Sequence, residues 1–258
     1  MPERDLSLLV DAAQAAGEIA LAYWSGSNRV WDKGNDDPVS EADLAVDAAL
    51  RDRLLLARPH YGWLSEETED SPDRLDRAHV FVVDPIDGTR AFVAGERTWA
   101  VSLAVVEMGK PVVGVVHLPA RARTYTAVLG GGASLNGTAM TAAPSPVGPA
   151  RLLASRPALD PQYWPGGLPD ISRHFRPSLA YRLALVGEGR FDAMATFRPS
   201  WEWDLAAGAL IAAEAGARVT DGTGGSLGFN NPHPQVAGIM AATPEFHATL
   251  VARRTGRN

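Results

Sequence analysis

Phe81-Val82-Val83-Asp84-Pro85-Ile86-Asp87-Gly88-Thr89 reads as a buried strand that runs into a pair of carboxylates. The apolar run predicts a strand ending at Asp84, because Pro85 has no N–H with which to continue a ladder. Asp87 follows three residues on, and Gly88 permits a close approach of the backbone where a helix can begin. Both carboxylates can then face one point in space. Backbone N–H groups at Gly88 and Thr89 would lie beside them, as at a helix N-terminus suited to a phosphate. Hard cations such as Mg²⁺ take octahedral oxygen donors, often one or two carboxylates together with phosphate oxygens. For an isolated D-x-x-D-G, an Asx turn capping a helix is the competing reading.

Two further segments add acids. Glu66 and Glu67 follow the apolar Trp63-Leu64 after a single serine, and Asp204 opens an apolar helix in Trp203-Asp204-Leu205-Ala206-Ala207-Gly208. Each alone reads as an ordinary cap or an exposed charge. Together with Asp84 and Asp87 they supply enough carboxylates for a site of two or three metals.

Around these segments, Leu6 to Trp24 repeats apolar residues at helical spacing and predicts an amphipathic helix. Ser40, with Asp43 three residues on, predicts the N-cap of a helix running to about Arg58, before Pro59. Residues 61–65 and 79–83 are short apolar strands, and residues 99–106 and 112–118 form a hairpin through Met108-Gly109-Lys110. A further strand covers 123–129, and Gly130–Gly132 and Asn136-Gly137 are turn signals. Beyond the proline-rich 143–149, short strands and helices alternate at 151–154, 179–187, 193–197, 204–215, 218–220, 237–242 and 244–253. The order predicts an α+β part over 1–142, with a mainly antiparallel sheet and most of the candidate metal ligands. An α/β part over 150–258 would complete the site, with 143–149 as the connection.

Composition narrows the function classes. The net charge is −6 and no Lys/Arg run exceeds Arg253-Arg254, which speaks against a nucleic-acid polymer as partner. Without cysteine there are no disulfides, zinc–thiolate sites or cysteine nucleophiles. Met1 to Asp5 lacks the basic-then-apolar order of a signal peptide. No apolar stretch reaches the roughly 18–20 residues of a membrane helix. The expectation is a cytoplasmic protein with no membrane partner, and it is the carboxylates and N–H groups of Asp84–Thr89 that point to a small-molecule phosphate ester.

The segments Lys33…Asp37-Pro38-Val39-Ser40-Glu41-Ala42-Asp43, Ser65-Glu66-Glu67, Asp84–Thr89 and Trp203–Gly208 resemble, in order, the signature motifs of the inositol monophosphatase superfamily. The resemblance implies a layered αβαβα sandwich, its site between the two parts, and a homodimer. By position, Glu66, Asp84 and the Ile86 carbonyl would bind one Mg²⁺. Asp84, Asp87 and Asp204 would bind a second, with Asp84 bridging, and a third, weaker ion would lean on Glu66. Asp43, Thr89 and Glu66 would form the catalytic set, with Thr89 hydrogen-bonded to Asp43 and orienting the attacking water. Gly88 and Thr89 N–H groups would hold the phosphate, and Asp204, Lys33, Ser155 and Arg182 would complete the substrate-binding set.

The alcohol half of the substrate is read from finer resemblances. Inositol phosphatases carry an acid shortly before their W-D motif, where an ungapped count from Trp203 gives Phe197. Histidinol-phosphate phosphatases share the run Asp87–Phe92 but carry a further acid where this chain has Ser178–Arg182. The bacterial 3′(2′),5′-bisphosphate nucleotidases are more similar, through Val186–Gly189, Phe197-Arg198-Pro199 and Ala154-Ser155-Arg156. Their G-S-x-x-K element is not intact: Ser178, Leu179 and Arg182 occupy its place. Arg182 reads either as a ligand for a second phosphate or as a helix-surface arginine. The expectation is hydrolysis of adenosine 3′,5′-bisphosphate to AMP and phosphate. Inositol-1-phosphate or histidinol-phosphate phosphatase activity is the alternative. A non-catalytic ligand- or RNA-binding relative is the reading from another class, and the retained Asp43, Glu66, Asp84, Asp87, Thr89 and Asp204 argue against it.

Overall fold

The computed structural model describes residues 2–24, 26, 28–32, 34 and 38–256; Lys33 and Asp37 lie outside the described residues. Helix α1 (Pro2–Trp24) is followed by the short antiparallel pair β1 (Val30–Asp32) and β2 (Pro38–Ser40), then helix α2 (Glu41–Ala57). The predicted cap is present: the Ser40 backbone N–H and hydroxyl both donate to Asp43 Oδ2, at 2.9 and 2.6 Å.

Seven strands then build the larger sheet: β3 (Gly62–Ser65), β4 (His79–Asp87), β5 (Ala100–Glu107), β6 (Lys110–Leu118), β7 (Arg123–Val128), β8 (Gly132–Leu135) and β9 (Thr138–Met140). A one-turn helix, α3 (Thr89–Val93), joins β4 to β5. The β3–β4 pair is parallel and the remaining pairs are antiparallel. Met108 (φ 48°) and Gly109 (φ 81°) close the predicted hairpin with two left-handed residues, as a two-residue turn between twisted strands requires.

The smaller sheet combines β10 (Ala150–Leu153), β11 (Ile171–His174), β12 (Ala193–Thr196), β14 (Arg218–Asp221) and β16 (Ile239–Ala242) in the order β11-β10-β12-β16-β14. Its β10 contacts are parallel and its β16 contacts antiparallel, so it is mixed. Between these strands in sequence lie helices α4 (Leu179–Gly187) and α5 (Glu202–Glu214) and the minor pair β13 (Ser200–Trp201) and β15 (Gln235–Val236), and α6 (Pro244–Thr255) follows β16.

Period-two alternation sets the layers. On β4, β5 and β6, Phe81, Val83, Leu103, Val105, Val113 and Val115 pack against α1 and α2. Val80, Val82, Ala104, Val106 and Val116 point the other way, into a core shared with α4 and α5. The inner face of the smaller sheet, with Leu153, Met194, Ile239 and Ala241, closes that same core. Its outer face, with Leu152, Ala193, Ala195, Met240 and Ala242, packs under Phe246 and Leu250 of α6. The result is the αβαβα sandwich, with the α4–α5 layer common to both sheets.

Three of the departures from the sequence reading have a clear physical reason. Strand β4 does not stop at Asp84: it bulges through Pro85 and Ile86 and resumes pairing at Asp87, opposite Ala100. A bulge leaves residues outside the ladder, so the missing N–H of Pro85 costs no hydrogen bond there. Strand β11 was not foreseen, because Ile-Ser-Arg-His at a half-exposed edge carries no apolar alternation. Helix α1 is long and apolar enough to span a membrane, with a mean hydropathy of 1.2 over its best window. Its stripe Leu9, Ala12, Ala13, Ala16 and Ala20 is instead buried against the larger sheet.

Candidate active site

The end of β4 carries the central acids. Asp84 is fully buried and its Oδ1 accepts from the Ile86 N–H at 3.0 Å. The Asx turn and the carboxylate pair are thus both present: the turn aims the acids. Past the bulge, Asp87 faces the start of α4. Its Oδ2 accepts from the Ser178 hydroxyl at 2.5 Å and the Ala180 N–H at 2.7 Å, and its Oδ1 accepts from the Leu179 N–H at 3.2 Å. Gly88 caps α3 in the left-handed region (φ 98°), which favours glycine. Thr89 Oγ1 then lies 3.3 Å from Asp43 Oδ1 and 3.2 Å from the Ile86 carbonyl.

Two other elements complete the cluster. Glu66 leaves the end of β3, where its N–H donates to the Val83 carbonyl at 3.3 Å. Asp204 comes from the first turn of α5, which is fixed to β5 by a 3.0 Å hydrogen bond from the Ser102 hydroxyl to the Trp203 carbonyl. One carboxylate oxygen from each of Glu66, Asp84 and Asp204 lies within 4.8 Å of the others. Asp87 stands beside this trio, tied to α4, and its charge acts on both Asp84 and Asp204.

The electrostatics follow from that crowding. Burial pushes Asp84 well above the carboxylate range, and the charges of Glu66, Asp87, Asp204 and Asp43 add to the shift. Asp204 is raised by burial and then by Asp87 and Glu66. Burial raises Asp87 to about 6, opposed by its hydrogen bonds from Ser178, Ala180 and Leu179. Such a group cannot all ionise without a compensating cation. The donor set is oxygen throughout, the hard chemistry that suits Mg²⁺.

The candidate substrate residues fall in different settings. Arg182 is buried, not on a helix surface: its Nε donates to the Arg176 carbonyl at 2.5 Å and its guanidinium lies 4.5 Å from the Phe175 ring centre. Burial lowers its pKa to about 10. Ser155 is half-buried at the end of β10, and the adjacent Arg156 is exposed. Phe197 packs with Tyr163 and Trp164 at 5.1 and 5.4 Å, in the outer core under α6. Arg198, next along, is exposed, and its charge acts on Asp204 and Arg182. Glu188 braces the fold by accepting from Arg123 at 2.9 Å and from the Tyr125 hydroxyl at 2.6 Å.

Three supporting groups escaped the sequence reading. Ser178 holds Asp87, Asp47 holds the segment around Glu66, and the buried Glu202 accepts from Asn230 and Asn231. For Asp47 a signal existed: it stands one helical turn beyond Asp43, on the same face of α2.

A layered sandwich in which carboxylates from the end of β3, from β4 and from α5 converge around the buried Asp84 has the arrangement of a phosphatase site that could hold a metal. The inositol monophosphatase family model matches residues 1–257, and the chain belongs to that family. It is 36% identical to an inositol-1-monophosphatase of Rhizobium meliloti, over 85% of this chain and 86% of that one. It is 30% identical to the 3′(2′),5′-bisphosphate nucleotidase CysQ of Escherichia coli, over 87% and 93% of the two chains. Among solved structures, the Thermotoga maritima IMPase superposes with a TM-score of 0.82 at 28% identity, covering 100% of this chain and 98% of that one.

Proposed function

We propose that this phosphatase hydrolyses a small phosphate monoester with Mg²⁺ held by Glu66, Asp84, Asp87, Asp204 and the Ile86 carbonyl. The observation that carries the reading is the convergence of Glu66, Asp84 and Asp204 oxygens within 4.8 Å, with Thr89 paired to Asp43 on the next turn of chain. When bound, Mg²⁺ supplies Lewis-acid chemistry: it activates water, neutralises the phosphate and stabilises the leaving oxygen.

The protein's own groups position the reaction. Ser40 occupies Asp43 Oδ2 through two hydrogen bonds, which leaves Oδ1 for Thr89. The Thr89 hydroxyl has one proton; donating it to Asp43 frees a lone pair to accept from the attacking water. Gly88 and Thr89 N–H groups would hold the phosphate, and the left-handed Gly88 (φ 98°) would let the backbone approach it. No side-chain nucleophile is needed in this scheme.

For the alcohol half, we infer adenosine 3′,5′-bisphosphate, giving AMP and phosphate. The exposed Arg198, whose charge acts on Asp204, is available for a second phosphate, whereas Phe197 lies in the outer core and has no bearing on the choice. The CysQ relative supports this choice. The Rhizobium relative favours inositol 1-phosphate as the second reading. A panel of phosphomonoesters assayed with Mg²⁺ separates them. A higher kcat/KM for the bisphosphate nucleotide is expected, and a clear preference for inositol 1-phosphate overturns the choice. Release of phosphate from no member of the panel would overturn the enzymatic reading itself.

A further inference from the structure

Helix α2 presents two acids one turn apart. Asp43 serves Thr89, and Asp47 is buried (7% exposed) with both carboxylate oxygens engaged. Its Oδ1 accepts from the Ser65 hydroxyl at 2.5 Å, and its Oδ2 accepts from the Thr68 hydroxyl at 2.6 Å. Thr68 Oγ1 in turn accepts from Trp63 Nε1 at 3.2 Å. Ser65 and Thr68 flank Glu66-Glu67, so one buried carboxylate holds both ends of the two-glutamate segment.

The location gives that clamp a purpose. Strand β3 is at the edge of the larger sheet, and the last sheet contact before the segment is the 3.3 Å bond from the Glu66 N–H to the Val83 carbonyl. Beyond Thr68 the chain turns outward at the exposed Glu69 and Asp70. Meanwhile Glu66 is asked to sit among like charges, which favour its swinging away. Burying a carboxylate is itself costly, and the two hydroxyl donors offset that cost only in this arrangement.

We propose that Asp47 is a positioning residue for Glu66. It holds the 65–68 segment so that the Glu66 carboxylate stays with Asp84 and Asp204 before a cation arrives. It therefore sets the affinity for the ion and leaves the chemistry of the loaded site unchanged. The inference rests on the metal-dependent reading above. A purely structural Asp47 would lower stability without changing how tightly the folded protein binds Mg²⁺.

Calorimetric titration of the purified full chain with Mg²⁺ alone tests this, beside the Mg²⁺ dependence of phosphate release. For Asp47→Ala, Mg²⁺ binding weakens about tenfold or more, the usual consequence of removing a group that orients a metal ligand. At saturating Mg²⁺ its kcat stays within about threefold of the unsubstituted protein. Asp47→Asn keeps one acceptor and a donor in the same place, and largely restores Mg²⁺ affinity. If Asp47→Ala does not fold, the near-isosteric Thr68→Val, which releases one end of the clamp, carries the same comparison with a smaller loss. Unchanged Mg²⁺ affinity in the folded variant overturns the inference, as does a loss confined to kcat at saturating Mg²⁺. Absence of Mg²⁺ binding by the unsubstituted protein would instead overturn the metal reading, so the two failures are distinguishable.

Discussion

The hydroxyl of Ser178 donates to Asp87 Oδ2 at 2.5 Å, across 91 residues of sequence. Ser178 is also the N-cap of its own helix, since its Oγ accepts from the Tyr181 N–H at 2.9 Å. Together with the Leu179 and Ala180 N–H groups, α4 therefore points its positive end at an acid delivered by β4. A carboxylate from the larger sheet and a helix from the shared middle layer are locked to each other.

Replacing Ser178 with Ala removes the helix cap and one bond to Asp87. A loss of about 1–2 kcal/mol is expected from the cap and the buried hydrogen bond together. At this chain length that corresponds to a fall in Tm of about 2–8 °C. The fall should appear with or without Mg²⁺, because these contacts exist in the protein itself. A Tm unchanged in EDTA would show that the cap contributes nothing.

Asp87→Asn separates charge from shape. The Asn carbonyl can still accept from the Ala180 N–H, so circular dichroism and the denaturant midpoint should stay close to the parent. Loss of the negative charge should nevertheless lower kcat by orders of magnitude, about 100-fold or more. Near-normal turnover in this variant would remove Asp87 from the metal assignment.

Much of this architecture is legible in the sequence, and the exceptions have physical reasons. The Ser40–Asp43 cap and the Met108-Gly109 turn are local, so residue type alone announces them. The continuation of β4 past Pro85 depends on pairing of Asp87 with Ala100, which only the neighbouring strand supplies. Ser178 and Asp47 act through tertiary contacts, and nothing in their own neighbourhoods names the partner. The side taken by Phe197 was readable in principle: Ala193 and Ala195 lie in the outer core, and a period of two carries Phe197 there too. Counting back from Trp203 without regard to strand faces hid that.

Metal removal should show a definite pH signature. Asp84, Asp87 and Asp204 are raised above their ordinary values, chiefly by burial, with Asp87 reaching about 6. A raised carboxylate gives stability that is fully present below the unfolded pKa, near 3.8, and is lost as pH rises through the folded value. The metal-free protein thus loses the Asp87 contribution between about pH 4 and pH 6 and those of Asp84 and Asp204 as pH rises through their raised values, and Mg²⁺, which binds the deprotonated acids, offsets the loss. Buried His247, lowered from 6.5 to about 4, works in the opposite direction between those values, so the raw Tm is a poor readout. The rise in Tm on adding Mg²⁺ is the better one, and it should be larger at about pH 7.5 than at about pH 5. An equal rise at both would contradict the raised carboxylates.

Half of the Trp203–Gly208 motif is packing, and Gly208 tests that directly. Helix α5 lies between β6 and α4: Gly114 of β6 leaves room for Ala207, where a Cβ would come 2.9 Å from the Ala207 carbonyl oxygen. On the other side, a Cβ at Gly208 would meet Leu183 Cβ at 2.8 Å and the Ala180 carbonyl oxygen at 3.0 Å. Neither contact is a free side-chain tip, so Gly208→Ala must push α4 away from α5. Alanine gains about 1 kcal/mol of helix propensity over glycine, and overpacking of this kind costs about 1–3 kcal/mol, more where backbone must shift. The net expectation is a lower urea midpoint. Because Ala180 also donates to Asp87, the displacement should reach the acid cluster and weaken Mg²⁺ binding as well. A variant more stable than the parent, with Mg²⁺ affinity intact, would mean that propensity outweighs the clash and that the α4–α5 seam has slack.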